Sequence, residues 1–352
     1  MDNRKRLRDL GIKIGKFKTG KLNSITDIRD VTVGHKTIMT NLPNGRSVRT
    51  GVTAILPHKG NLFKEKVIGS SYIINGFGKS TGTIQLEELG VLESPIMLTN
   101  TLSVSSVTEG TIRHLLNEND DIGHEAGTVN VVVGECNDGF LNDIRGLHVR
   151  PEHATEAILS ANKDVEEGCI GAGTGMSCLG FKGGIGTSSR VTTVEGSDYT
   201  LGALVLTNFG KKEDILLPGS NKRIHNDKER KNLPDGSIMI VLATDAPFNE
   251  RQLRRISKRA AFGLSRTGSS AAHGSGDIVL SFSTAHKIPH YSTGPTQSFS
   301  FLVEDGPIIS DFFEMTVEAV EEAIWNSMCK ATTMVGHNGN VSEQFPYHLL
   351  LN

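Results

Sequence analysis

The run Ile238-Met-Ile-Val-Leu-Ala243 contains no polar residue, and it directly follows a stretch of opposite character. Six apolar residues without alternation, too few for an independent helix, read as a strand buried on both faces. Such a strand needs a packed layer above it and another below it. The chain is therefore expected to be a layered α/β or α+β protein rather than a sheet with one wet face. Between Lys211 and Gly236, by contrast, twelve of 26 residues are charged, and Pro218, Gly219 and Pro234 interrupt the stretch. That composition reads as a solvated loop or linker.

A chain of 352 residues suits one large layered domain or two of average size. Its 22% charged and 37% hydrophobic residues exclude a disordered tail. The formal net charge of −2 excludes a generally basic surface, so no nucleic-acid partner is expected. No apolar run reaches the length that spans a bilayer, and Met1-Asp-Asn-Arg-Lys-Arg-Leu-Arg8 has no signal-like apolar region, so no membrane partner and a cytoplasmic location are expected. Cys136, Cys169, Cys178 and Cys329 include no C-x-x-C pair and read as four reduced, buried thiols.

Short strands are expected within 24–75, at Val31-Thr-Val33 before Gly34 and at Gly51–Leu56 before Pro57. Further strands are expected at Thr128–Gly134, Tyr199–Thr207 and Asp277–Thr284, and helices at 105–117, 153–162, 249–264 and 311–330. The helix over 249–264 turns Leu253, Ile256, Ala260 and Leu264 inward and presents five basic residues, Arg251 to Arg259, as a solvated face. Glu314, Glu318, Glu321 and Glu322 in the last helix suit the helix dipole, and no metal site is assigned to them.

The 39 glycines cluster partly in Gly171-Ala-Gly-Thr-Gly175 and Lys182-Gly-Gly-Ile-Gly186. The first lacks the third glycine of a dinucleotide fingerprint, and in the second the lysine precedes the glycines, so neither is a phosphate loop. Backbone donors lining a pocket are the expected role. Gly175-Met-Ser-Cys-Leu179 misses the nucleophile elbow by one position, and Pro289 separates His286 from His290 as a helical metal pair.

Gly236-Ser237 stands at the junction of the charged stretch and the apolar strand. On spacing alone it reads as an ordinary turn. It is also where a cut would leave a serine whose free α-amine stands beside its own hydroxyl. An α-amine with a pKa near 7.7–8.0 is a competent general base for a weak serine nucleophile.

Ordered motifs along nearly the whole chain decide between these readings. They include Arg8-Asp-Leu-Gly-Ile12, Val33-Gly-His-Lys36, Arg49-Thr-Gly-Val-Thr53, Asn142-Asp-Ile144, Gly171–Met176 and Phe181–Val191. They continue with Gly236-Ser237, Ala243-Thr-Asp-Ala-Pro247, Arg266-Thr-Gly268 and Ser275-Gly-Asp277. Together they resemble the L-aminopeptidase/D-esterase and β-peptidyl aminopeptidase family of self-processing serine peptidases.

The resemblance implies a four-layer α/β/β/α sandwich similar to N-terminal-nucleophile hydrolases. It implies one aminopeptidase domain, 1–352, cut between Gly236 and Ser237 into 1–236 and 237–352. The family's nucleophile falls on Ser237, its oxyanion-hole asparagine on Asn208, and its second serine and nearby carboxylate on Ser275 and Asp277. Some members carry Glu at the last position. The acidic group near the substrate amine falls on Glu135, and one relative's tyrosine falls on Asn137. No metal or organic cofactor is implied. The expected partners are a small peptide, amide or ester substrate and further copies of the chain as a homotetramer. An acyltransferase of the ornithine acetyltransferase type, or a non-catalytic small-molecule binding protein, are the alternatives on a similar scaffold.

Overall fold

The computed structural model describes residues 4–219 and 236–350. Strands β1 (Thr32–Asn41), β2 (Ser47–Leu56) and β3 (Glu65–Gly76) lead into α1 (Thr83–Leu89), β4 (Val91–Leu92) and β5 (Ile96–Asn100). Then come α2 (Val104–Glu118), β6 (Val132–Cys136), α3 (Pro151–Leu159) and a small ribbon of β7 (Ser177–Cys178) and β8 (Phe181–Lys182). The second half contains β9 (Ile185–Val194), β10 (Ser197–Asn208), β11 (Ser237–Thr244), α4 (Glu250–Ser257), α5 (Ala260–Arg266), β12 (Gly276–Pro289) and α6 (Pro307–Lys330). Another small ribbon, β13 (Met334–Val335) with β14 (Val341–Ser342), follows.

Two mixed sheets face each other, one ordered β1-β2-β5-β6 and the other β4-β3-β12-β11-β10-β9. The buried apolar residues divide accordingly. Ile55, Leu98 and Val132 of the first sheet meet Leu204, Leu206, Met239, Val241 and Leu280 of the second. On the outer face of the first sheet, Val52, Ala54, Met97 and Val133 pack with Val107 of α2 and Ala154, Ala157 and Ile158 of α3. On the outer face of the second, Ile238, Ile240 and Leu242 pack against Leu253, Leu264, Val320 and Ile324 of the helices beyond. The layers are thus helix, sheet, sheet, helix. Successive residues of β11 alternate between two different dry cores, which is why its sequence shows no polar alternation.

Several expected elements are different in extent. Gly34 does not follow a short strand and Gly51 does not open one; they lie inside the long β1 and β2. A Cβ at Gly34 would stand 2.0 Å from the Ala157 carbonyl oxygen, and one at Gly51 would stand 2.5 Å from that of Gly171. Glycine at these positions permits close packing rather than a turn. The strand read at Thr128–Gly134 is displaced to β6, the helix over 249–264 is broken into α4 and α5, and the last helix begins at Pro307. Arg259 stacks on Phe313 at 3.7 Å and Arg255 pairs with Glu304, so the basic face is not wholly solvated. Cys169 is half-buried, unlike the other three thiols. Of the charged stretch, 220–235 lies outside the described residues; before it, Lys212–Asp214 form a turn of 3-10 helix and Ile215 is buried.

The acidic residues of α6 have a larger role than the dipole. Arg190 of β9 is fully buried, with Nε 2.9 Å from Glu318 and Nη2 2.7 Å from Glu322. Glu318 also accepts from the backbone N–H of Lys16 at 2.8 Å, and Glu322 from Arg8 Nε at 2.8 Å and Asn23 Nδ2 at 2.5 Å. Burial pushes the Glu322 carboxyl up, but the Arg190 and Arg8 guanidinium groups outweigh it and hold it below its ordinary value. Two cations and two carboxylates therefore tie the N-terminal segment, β9 and α6 together. Arg190→Met leaves both carboxylates without their shared partner and should cost about 3–5 kcal/mol in chemical denaturation; a loss under about 1 kcal/mol would contradict this account.

Candidate active site

Ser237 is the first residue of β11, which lies centrally in the six-stranded sheet. It is opposite Asn208 of antiparallel β10, and the next residue, Ile238, is paired with Asp277 of parallel β12. By strand alternation Ser237 shares the face of Met239 and Val241, and Asn208 that of Leu204 and Leu206. Both point toward the opposing sheet at one end of the inter-sheet core. The Ser237 side chain is buried, and its Oγ accepts from the backbone N–H of Gly276 at 3.1 Å. At Gly236 a Cβ would stand 1.9 Å from the Asn208 carbonyl oxygen, so this approach needs glycine.

Ser275 and Asp277 meet side by side, the Ser275 hydroxyl donating to Asp277 Oδ1 at 2.5 Å. Burial pushes the Asp277 carboxyl up to about 6, against the Ser275 hydroxyl and the Ile238 backbone, which favour its ionised form. Its other oxygen, Oδ2, is buried without a hydrogen-bond partner. A buried acceptor left open beside the start of β11 can receive one more donor, and a cation would lower its pKa again.

The Asn208 amide is held at both ends. Its Oδ1 accepts from Ser177 N–H at 3.0 Å, and its Nδ2 donates to the Asn137 carbonyl at 2.8 Å. One of the two amide N–H bonds is thus committed and the other remains for a further acceptor. Asn137 itself is exposed, and its side chain turns back to accept from Gly139 N–H at 2.8 Å. Behind it, burial pushes the Asp138 carboxyl up to about 7.

Glu135, at the C-terminal end of β6, is buried and accepts from Lys79 N–H at 2.8 Å and from the Thr101 hydroxyl. Gly78 lies between Glu135 and Gly276, whose N–H reaches the serine: a Cβ there would lie 3.5 Å from Glu135 Oε1 and 3.7 Å from Gly276 Cα. A cleft of about 260 Å³, lined by Phe209, Gly236, Ser269, Ala272 and Ser275, opens beside the Gly236–Ser237 bond. The structure therefore brings Ser237, Asn208, Ser275, Asp277, Glu135 and the Asn137 backbone into one neighbourhood. The side chain of Asn137 is not directed into it.

The glycine-rich stretch differs from expectation. Gly171 and Ala172 give their N–H groups to Thr37 and Thr53 at 2.8 and 3.1 Å. The carbonyls of Gly173, Met176 and Gly183 cap the buried Lys182 ammonium at 3.1, 2.7 and 2.8 Å, while burial lowers that lysine's pKa. These groups support the site from within instead of lining it. Sequence reasoning missed Ser177, Lys79 and Thr101; two of them act through backbone N–H groups, which carry no residue signature. Among the described residues no group of three His, Cys, Asp or Glu side chains could hold a metal ion.

An amide donor, a hydroxyl on an N–H and two buried carboxyls, arranged at the strand ends of facing sheets, suit acyl-group chemistry. The chain matches the profile of peptidase family S58 over residues 23–342. It is 39% identical to the beta-peptidyl aminopeptidase BapA of Sphingosinicella microcystinivorans, with 97% of this chain and 90% of that protein covered. A solved structure from Pyrococcus horikoshii OT3 superposes with a TM-score of 0.91 at 50% identity, covering 99% of this chain and 98% of the other. The L-aminopeptidase D-Ala-esterase/amidase of Ochrobactrum anthropi, described as a variant of the Ntn-hydrolase fold, matches with a TM-score of 0.89 at 34% identity, covering 98% and 96%. With fold, site and sequence matched nearly end to end, the chain is an enzyme of the serine Ntn-hydrolase fold and belongs to peptidase family S58.

Proposed function

We propose that the protein is a self-processed serine aminopeptidase that releases N-terminal residues from small peptides, amides or esters through an acyl-enzyme on Ser237. The observation that carries the reading is the Ser237 hydroxyl at the start of a rigid central strand, beside the Asn208 amide and the open Asp277 Oδ2.

In the first step Ser237 Oγ attacks the Gly236 carbonyl carbon. The C–N bond breaks, the nitrogen takes up the hydroxyl proton, and an ester joins Gly236 to Ser237. Water hydrolyses that ester, leaving a carboxylate at Gly236 and an α-amine at Ser237. The new ammonium supplies the donor that Asp277 Oδ2 lacks, and Ser275 keeps the carboxylate oriented.

In turnover the neutral amine takes the Oγ proton as Oγ attacks the substrate carbonyl, then returns it to the departing amine or alcohol. The free N–H of Asn208 stabilises the oxyanion. The Glu135 carboxylate, fixed by Lys79 and Thr101, faces the substrate's ammonium group. Water then clears the acyl-enzyme. The names of the similar aminopeptidases support the substrate class.

Mass spectrometry of the wild-type protein should find chains ending at Gly236 and starting at Ser237, whereas Ser237→Ala should stay single and inactive. An intact wild-type chain that hydrolyses aminoacyl amides would rule out the amine-base mechanism. Asn208→Ala should lower kcat by about 10²–10³ with little change in KM; an unchanged kcat removes Asn208 from the oxyanion site.

The same reading includes a homotetramer in the cytoplasm. Four unpaired cysteines accord with a reducing compartment. The groove of about 890 Å³ beside α2, where Leu102 and Leu116 are exposed, accords with contacts between copies. A monomeric mass by light scattering would refute the tetramer.

A further inference from the structure

The peptide unit between Ser275 and Gly276 has its N–H on the Ser237 hydroxyl oxygen, at 3.1 Å. Its carbonyl, on the opposite edge of the same plane, is held by a side chain outside the site considered so far. Asn75 Nδ2 lies within hydrogen-bonding distance of the Ser275 carbonyl and of those of Ala272 and His273, both at 3.1 Å, so its two N–H bonds are shared among three acceptors. Three carbonyl acceptors leave one orientation for this amide, with nitrogen toward the loop. The backbone N–H of Phe77 adds a bond to the same Ser275 carbonyl at 3.3 Å.

The loop needs such a clamp. It leaves α5 through Gly268 at φ +112° and passes Ala271, a non-glycine residue at φ +51°. It joins β12 where the pairing with β3 is irregular: Asp277 is opposite Asn75, but the register shifts before Ile278 meets Ile73. At this irregular end of the ladder one backbone bond, from Phe77 N–H, reaches the 275–276 peptide, and the Asn75 side chain adds a second donor to the same carbonyl.

We propose that Asn75 is a positioning residue for the nucleophile: by clamping the Ser275 carbonyl it sets the plane of the 275–276 peptide and aims the Gly276 N–H at Ser237 Oγ. This rests on Ser237 being the nucleophile. The N–H occupies one Oγ lone pair, which leaves the hydroxyl proton for the α-amine and the second lone pair for the carbonyl carbon. A donor on the carbonyl also polarises the peptide and strengthens its N–H as a donor. Loss of the clamp misdirects the attacking oxygen without touching the groups assigned to substrate binding. It should therefore lower kcat and slow self-cleavage, because one hydroxyl performs both.

The test compares full-length Asn75→Ala and Asn75→Asp with wild type. Aspartate keeps the size of asparagine but, ionised, has no N–H to give. Both variants should show a kcat about 10- to 100-fold lower on an aminoacyl p-nitroanilide, with KM changed by less than about twofold. Self-cleavage followed by mass spectrometry should slow by a similar factor, with a Tm close to wild type. A wild-type kcat in either variant, or a loss carried by KM, overturns the proposal. Failure of both variants to fold would make Asn75 a folding residue and overturns it too. Ser237→Ala separates the two levels. If that variant still cuts and hydrolyses, the nucleophile assignment falls and takes the clamp with it; if it is inert while Asn75→Ala behaves as wild type, only the clamp falls.

Discussion

The burial of β11 on both faces, together with its pairing on both edges, is the constraint from which the remaining geometry follows. Ile238, Ile240 and Leu242 enter the core beneath α6, and Met239 and Val241 enter the core between the sheets. β10 and β12 hold the two edges in fixed register. A strand held in this way has no freedom to slide, since a one-residue slip would exchange its two sets of side chains. Its first residue is therefore placed as rigidly as its middle, although Ser237 adjoins a stretch of wholly different composition.

Around that fixed point the polar groups are arranged by burial. Asp277 and Asp138 are carboxyls whose pKa values burial raises to about 6 and about 7, and each keeps one oxygen without a partner. In a solvated site such groups would ionise at ordinary values; here burial makes their ionised forms costlier, and a donor reaching the open oxygen would favour the carboxylate again. The Arg190 cluster shows the opposite solution. Its carboxylates are buried too, but two guanidinium groups and several N–H donors satisfy them, and the cluster acts as a structural tie far from the serine. The two groups of buried carboxyls thus differ in whether guanidinium partners are supplied.

The legible features were those carried by runs and by residue identity. The unbroken apolar run at 238–243, the helical periodicity of α2 and the ordered motifs around Ser237 pointed to the layered fold and to most of the clustered side chains. Less legible were positions where one residue type serves two purposes. Gly34 and Gly51 resembled strand ends because glycine favours turns, but they lie within strands because a helix and a buried turn press against them. Glu318 and Glu322 resembled dipole partners because their buried counter-ion, Arg190, is more than a hundred residues away in sequence.

The sequence by itself determined the layering, the strand that starts at Ser237 and the chemistry available at each motif position, because local patterning and side-chain type are properties of neighbouring residues. Only the tertiary structure decided which donors and acceptors meet. It closed the Asn208 amide between Ser177 and the Asn137 carbonyl, left Asp277 Oδ2 open, turned the Asn137 side chain away and set Asn75 on the Ser275 carbonyl. Those contacts join backbone and side-chain groups from distant segments, and a backbone N–H or C=O is the same in almost every residue. Its partner is chosen by packing alone.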